Sequence, residues 1–163
     1  MSLKINILVG TMTGTAQLVA QELELAWDDG ETQVETLLMD SLDSSVFARE
    51  GVFLVCTSTY GQGDVPDNAK ALYEDLKAKR PDLSQVRYGV FGLGDRTYAE
   101  TFNFGGQRFD ELLAGARDID RHFAETPFAR NVPVLMALVG VWNVNFLEAR
   151  THAVLPYATP LRL

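Results

Sequence analysis

The sequence has almost no cysteine: Cys56 stands alone in 163 residues. That excludes an internal disulfide and any cysteine-rich metal site. Histidine is nearly as scarce, with only His122 and His152. Neither sits in a spacing that suggests a metal or a catalytic partner, so no metal ligand and no catalytic residue is expected. Cations are short as well. Fourteen Lys and Arg against 22 Asp and Glu leave a net charge of −8. Binding a phosphate backbone needs the opposite excess, which excludes nucleic acid as a partner. The acidic balance suits solubility, or docking onto a basic protein. No apolar run approaches the roughly 20 residues of a membrane span, and the first residues lack the layout of a signal peptide. A cytoplasmic protein with no membrane partner is the expectation. The composition, 47% hydrophobic and 22% charged, is that of a folded domain. The length suits a single one with its own core.

What is present is a rhythm of strands and helices. Residues 5–10 are apolar and β-branched and end at Gly10, a buried-strand pattern. A Gly/Thr loop follows, then a helix over 16–27 with Leu18, Val19, Ala20, Leu23 and Ala26 as its apolar stripe. Residues 32–39 alternate as a second strand. Residues 51–57 (GVFLVCT) form a continuous apolar strand, as expected when both sheet faces are covered. Pro66-Asp67-Asn68 opens a helix running to about Lys79, residues 86–92 make a fourth strand, and 105–114 are again helical. This alternation predicts a parallel sheet with helices on both faces. Loops that follow the strands then gather at the carboxyl edge, where such folds bind ligands.

Three of those loops carry chemistry. The first is Thr11-Met12-Thr13-Gly14-Thr15-Ala16. Unsatisfied N–H groups at a helix start and nearby hydroxyls suit a phosphate. The alternative is a plain N-cap in which a threonine oxygen serves the helix. The loop has no lysine and no nucleoside-triphosphate pattern. The second, residues 57–64, places Tyr60 between a threonine-rich run and two glycines, Gly61 and Gly63. The third, residues 92–98, brings Tyr98 after the next strand, with Phe102-Asn103 beyond. Two rings on neighbouring loops beside a phosphate nest can sandwich a flat ring system.

On the stretches TMTGTA (11–16), TSTYGQGDVPDN (57–68) and GLGDRTYAETFN (92–103), residues 1 to about 114 resemble a flavodoxin, in particular the short flavodoxins and the flavodoxin-like domains of diflavin reductases. The resemblance implies a flavodoxin-like, doubly wound, five-stranded parallel sheet of order 2-1-3-4-5. It also implies FMN as cofactor and electron transfer as function. Carried over by position, Thr11, Met12, Thr13, Gly14, Thr15 and Ala16 hold the phosphate. Thr57, Ser58, Thr59, Tyr60, Gly61 and Gly63 line one side of the isoalloxazine. Gly92, Leu93, Gly94, Asp95, Tyr98, Phe102 and Asn103 form the other wall. Stacking on Tyr60 and Tyr98 within acidic surroundings is expected to lower the flavin potential. Asp64, Asp67, Asp95 and Glu100 are the acidic candidates for meeting a basic redox partner.

From about residue 112 the resemblance changes. DIDRHF (118–123), NVPVLMALVGVW (131–142), NF (145–146) and AVLPY (153–157) are similar to phosphoglucose isomerase. The charge changes with it: residues 1–116 hold 18 acidic and 9 basic side chains, residues 117–163 hold 4 and 5. The chain is therefore read as a chimera: one α/β domain over 1–163, flavodoxin-like over 1–114 and isomerase-like over 115–163. The isomerase family's proton-transferring base and sugar-phosphate pocket come from segments absent here, so no isomerase activity is expected. The tail is expected to complete the sheet: a helix over 132–147, N-capped by Asn131, as crossover, and residues 151–157 as a fifth parallel strand. An apolar helix of that kind predicts self-association. The competing reading is an engineered scaffold of two α/β folds with weak or lost FMN binding.

Overall fold

A computed structural model describes residues 3–95, 98–114 and 144–146. The chain begins with β1 (Leu3–Gly10), α1 (Thr15–Trp27) and β2 (Thr32–Leu38). Two short 3-10 turns, Met39–Ser41 and Ser44–Ala48, lead to β3 (Val52–Ser58). Then come α2 (Asp67–Lys79), β4 (Arg87–Leu93), α3 (Phe104–Ala114) and β5 (Val144–Phe146). Strands β2, β1, β3 and β4 lie side by side and all run parallel.

The period of two in the central strands sorts their side chains between two helical layers. Ile5, Ile7 and Val9 of β1 join Leu54 and Cys56 of β3 and Phe91 and Leu93 of β4 under α1. Leu8, Phe53, Val55, Tyr88 and Val90 point the other way, against Leu72 and Leu76 of α2 and Phe109 and Leu113 of α3. Every residue of β3 up to Thr57 is buried, which is why it shows no polar alternation in the sequence. Cys56 is sealed in this layer, and burial pushes its thiol up, away from reactivity.

Helix α1 buries Ala16, Val19, Ala20, Leu23 and Trp27, spaced three or four apart. Leu18, expected in that stripe, is 63% exposed. It follows Ala16 by two residues, about 200° around the helix, and so faces away from the sheet. Helix α2 is aligned with its dipole: Asp67 lies in the first turn and Lys77 and Lys79 in the last.

Residues 144–146, expected at the end of a helix, form a short strand instead. Val144–Phe146 pairs with β4, and the pairing is antiparallel: Phe91 opposite Phe146, Leu93 opposite Val144. It lies outside β4. The sequence pattern instead puts these residues at the end of a helix and predicts a fifth strand that is parallel. An edge strand offers its free N–H and C=O groups to either direction, and an antiparallel partner needs no right-handed crossover. The expected strand over 151–157, the remainder of the 132–147 helix, Asn131, His122 and His152 lie outside the described residues. So does the surface on which self-association was expected. Among the described residues no helix is long and apolar enough to cross a membrane.

Candidate functional site at the carboxyl edge

The three loops named from the sequence follow β1, β3 and β4, whose registers run in parallel to Gly10, Ser58 and Leu93. They therefore emerge at one edge of the sheet.

In the loop after β1, Gly14 is the N-cap of α1, in a left-handed conformation with φ 86°. Only glycine adopts this without strain. No side chain caps the helix, so the simple N-cap reading fails. Thr11 Oγ1 instead accepts the N–H of Gly14 at 2.9 Å, one residue ahead of the helix. The hydroxyls of Thr13 and Thr15 lie 3.3 Å apart at the surface. The first-turn N–H groups thus lie beside two exposed hydroxyls, a donor cluster suited to an anion. Met12 is 40% exposed, and its sulfur accepts the N–H of Asp67. Ala16 is fully buried, so it presents only backbone.

The loop after β3 closes on itself: Tyr60 and Asp64 exchange backbone hydrogen bonds of 2.9 and 2.7 Å. Gly61 and Gly63 supply positive φ inside that turn. Gly63 is also needed sterically, since a Cβ there would sit 2.7 Å from the Phe104 ring. Tyr60 is left half-exposed. Thr57 is fully buried, and its hydroxyl donates to the carbonyl of Ser58. The Ser58 hydroxyl donates to Gly10 O at 3.4 Å. Thr59 turns its hydroxyl inward, donating to Leu93 O at 3.0 Å and accepting the N–H of Gly105 at 3.1 Å. These three threonine and serine side chains are engaged with backbone.

In the third loop, Tyr98 stands 68% exposed. Its N–H donates to Asp95 O, and its carbonyl accepts from Thr101. Asn103 is fully buried with φ 60°. A Cβ at Gly92 would fall on the Asn103 amide group, and one at Gly94 would lie 2.5 Å from Asn103 N. Both glycines are thus positions where chain packs against chain. Leu93 is buried, Gly94 and Phe102 are partly covered, and Asp95 is exposed. Among the described residues, Tyr60 and Tyr98 are the exposed rings, on loops from adjacent strands.

Of the acidic candidates, Asp64 pairs with Arg108 at 3.0 Å and Asp67 with Lys70 at 2.5 Å. Asp95 and Glu100 are exposed as well. The Asp67 carboxylate also holds the Lys70 ammonium above the usual lysine range.

Several residues that shape the site carried no individual signal in the sequence. Asn68, Phe104, Gly105 and Arg108 all reach the loops from α2 or α3. Asn68 stands in the sequence as a helix opener at the end of the 57–68 stretch, and its partners in and beside the first loop lie 57 and 59 positions away.

Comparison with known proteins bears on this geometry from two sides. The family model described as Flavodoxin matches residues 7–118. A flavodoxin from Pseudomonas aeruginosa, solved as a cysteine-to-alanine mutant, is 34% identical and superposes with a TM-score of 0.60, covering 85% of this chain and 98% of that one. A flavodoxin of Streptococcus pneumoniae is 25% identical, with a TM-score of 0.64 over 85% of this chain and 96% of that one. A Fusobacterium nucleatum flavodoxin bound to flavin mononucleotide shares the fold at 19% identity and TM-score 0.62, over 71% of this chain and 67% of its own. The second likeness is to glucose-6-phosphate isomerases. That of Acinetobacter baumannii strain AB0057 is 45% identical over 95 residues, 58% of this chain. Isomerase 2 of Chromohalobacter salexigens is 60% identical over 53 residues, 32% of this chain. The chain spans only 15% and 10% of the length of those two relatives. The chain thus carries both likenesses read from its sequence, and the isomerase match over 95 residues is longer than the 49 residues of 115–163.

Proposed function

The chain belongs to the flavodoxin family, and from that premise we propose that it binds FMN at the carboxyl edge of its sheet and carries electrons. The observation that carries this reading is the pairing of a donor cluster without a side-chain cap, at the start of α1, with two exposed tyrosines on the adjoining loops. The donor set fits a phosphate, and the two rings fit a flat tricyclic system.

Thr13, Thr15 and the first-turn N–H groups of α1 hold the phosphate. Gly61 and Gly63 let the second loop bring its backbone close to the ring system. Tyr60 and Tyr98 flank the rings and exclude water from them. FMN supplies the one- and two-electron chemistry when bound; the protein supplies orientation and electrostatics. Asp95 and Glu100, exposed near Tyr98, favour a basic electron-transfer partner at this edge.

Stopped-flow mixing tests the reading. The full chain, loaded with FMN and reduced by dithionite, is mixed with ferric cytochrome c, a basic one-electron acceptor. Reoxidation should be rapid and should slow as salt is added. A rate independent of salt contradicts the basic partner. No reoxidation contradicts the carrier role.

A further inference from the structure

Asn68 lies at the second position of α2, on a different element from the hydroxyls of the phosphate-type loop, yet its amide makes three bonds around that loop's base. Its Oδ1 accepts the N–H of Thr11 at 2.8 Å. Its Nδ2 donates to the carbonyl of Val9 at 3.2 Å and to Asp40 Oδ2 at 3.3 Å. The orientation of the amide is unambiguous, because a backbone N–H can only donate and a backbone C=O can only accept. Turned the other way, the side chain would lose all three bonds. Its backbone partners flank Gly10, the last residue of β1, where the chain leaves the sheet.

The next link lies within the loop. Thr11, held through its N–H by Asn68, uses its own hydroxyl to accept the N–H of Gly14. Gly14 is the left-handed N-cap that sets the direction of α1 and of the first-turn N–H groups. A second tether runs beside the first, from the N–H of Asp67 to the sulfur of Met12. Asp40, the third partner, closes the 3-10 turn after β2 onto the same amide.

We propose that Asn68 is a positioning residue for phosphate recognition: through Thr11 and Gly14 it fixes the donor cluster that receives the phosphate of the flavin nucleotide. It does not touch the ligand, and it has no part in holding the ring system. The inference rests on the FMN reading above. Its signature is selective. Loss of Asn68 weakens binding of the phosphorylated flavin and leaves binding of the unphosphorylated one alone.

The test is to titrate the full chain with FMN and with riboflavin, wild type against Asn68→Ala. Removing one well-formed hydrogen bond to a loop that binds a charged group corresponds to roughly a tenfold loss in FMN affinity. Riboflavin affinity should stay within about twofold. Hydrogen exchange at the Thr11 amide should quicken in the same variant. If Asn68→Ala does not fold, Asn68→Ser, which keeps a polar group at the start of α2, is read in the same way. Equal losses for the two flavins, or no loss for FMN, overturn the proposal while leaving the FMN reading intact. No FMN binding by the wild type overturns both.

Discussion

The loop after β1 and the loops after β3 and β4 share one sheet edge, yet they are fastened to different helices and by different forces. The first is polar, carries no ring, and is tied to the start of α2 through Asn68 and Asp67. The other two carry the exposed tyrosines and are tied to α3 and to each other. Thr59 bridges Leu93 and Gly105, Gly63 packs on Phe104, and Asp64 pairs with Arg108. On the proposed reading, a ligand with a charged end and a flat end would be met by two differently anchored halves, joined at the sheet edge by the bond from the Ser58 hydroxyl to Gly10 O. The arrangement teaches that substitutions on α2 should act on the charged end, and substitutions at the start of α3 on the flat end.

The severest way to break the flat-end half is Gly63→Ala. The residue sits at φ 93°, and its new Cβ would meet Phe104 at 2.7 Å. Left-handed strain of about 1 kcal/mol and overpacking of about 1–3 kcal/mol act together. Urea unfolding should show a loss of about 2–4 kcal/mol. FMN and riboflavin affinity should fall in parallel; a loss confined to FMN would contradict the division.

Thr59→Val is a smaller cut in the same half. It is nearly isosteric but strips the hydroxyl that serves both Leu93 O and the Gly105 N–H. Leaving such groups unpaired costs about 1–3 kcal/mol. The same titrations should again show equal losses for the two flavins. A variant as stable as wild type would show that the bridge does not join the two loops.

The smallest effect concerns the α2 side and depends on pH. Asp75 accepts from the Lys79 ammonium and from the N–H of Ser44, which hold its carboxyl down to about 2. A depressed carboxylate contributes stability that is complete above its ordinary value of 3.8 and is lost as pH falls through about 2. Asp75→Asn should therefore lower Tm at neutral pH, with the gap closing near pH 2. A gap that persists there would mean the carboxylate's charge is not what joins the turn to the helix.

Most of this frame is legible in the sequence. The strand over 51–57 announces itself because both its faces are covered, and its apolar run needs no partner to be recognised. The three loops are legible because glycine, hydroxyl and tyrosine residues interrupt the pattern at strand ends. Their anchoring is not. Asn68 reads as a helix opener from its neighbours alone, and its work depends on contacts across 28, 57 and 59 positions. Thr59 resembles its neighbours in sequence, and only the packing of α3 against the loop turns its hydroxyl inward. That residues 144–146 form a strand is hidden for a related reason. Three residues carry no periodicity long enough to mark a strand inside an apolar run that reads as a helix.

Whether the sheet edge takes up FMN is read from a fluorescence titration of FMN with the full, flavin-stripped chain. Saturable quenching at one flavin per chain, with a bound form whose absorbance differs from free FMN, is the result expected of two loops of tyrosine and one of threonine closing on one ligand. Undiminished FMN fluorescence at protein excess would contradict it, and would leave the chain a flavodoxin fold joined to an isomerase-like fragment without the cofactor.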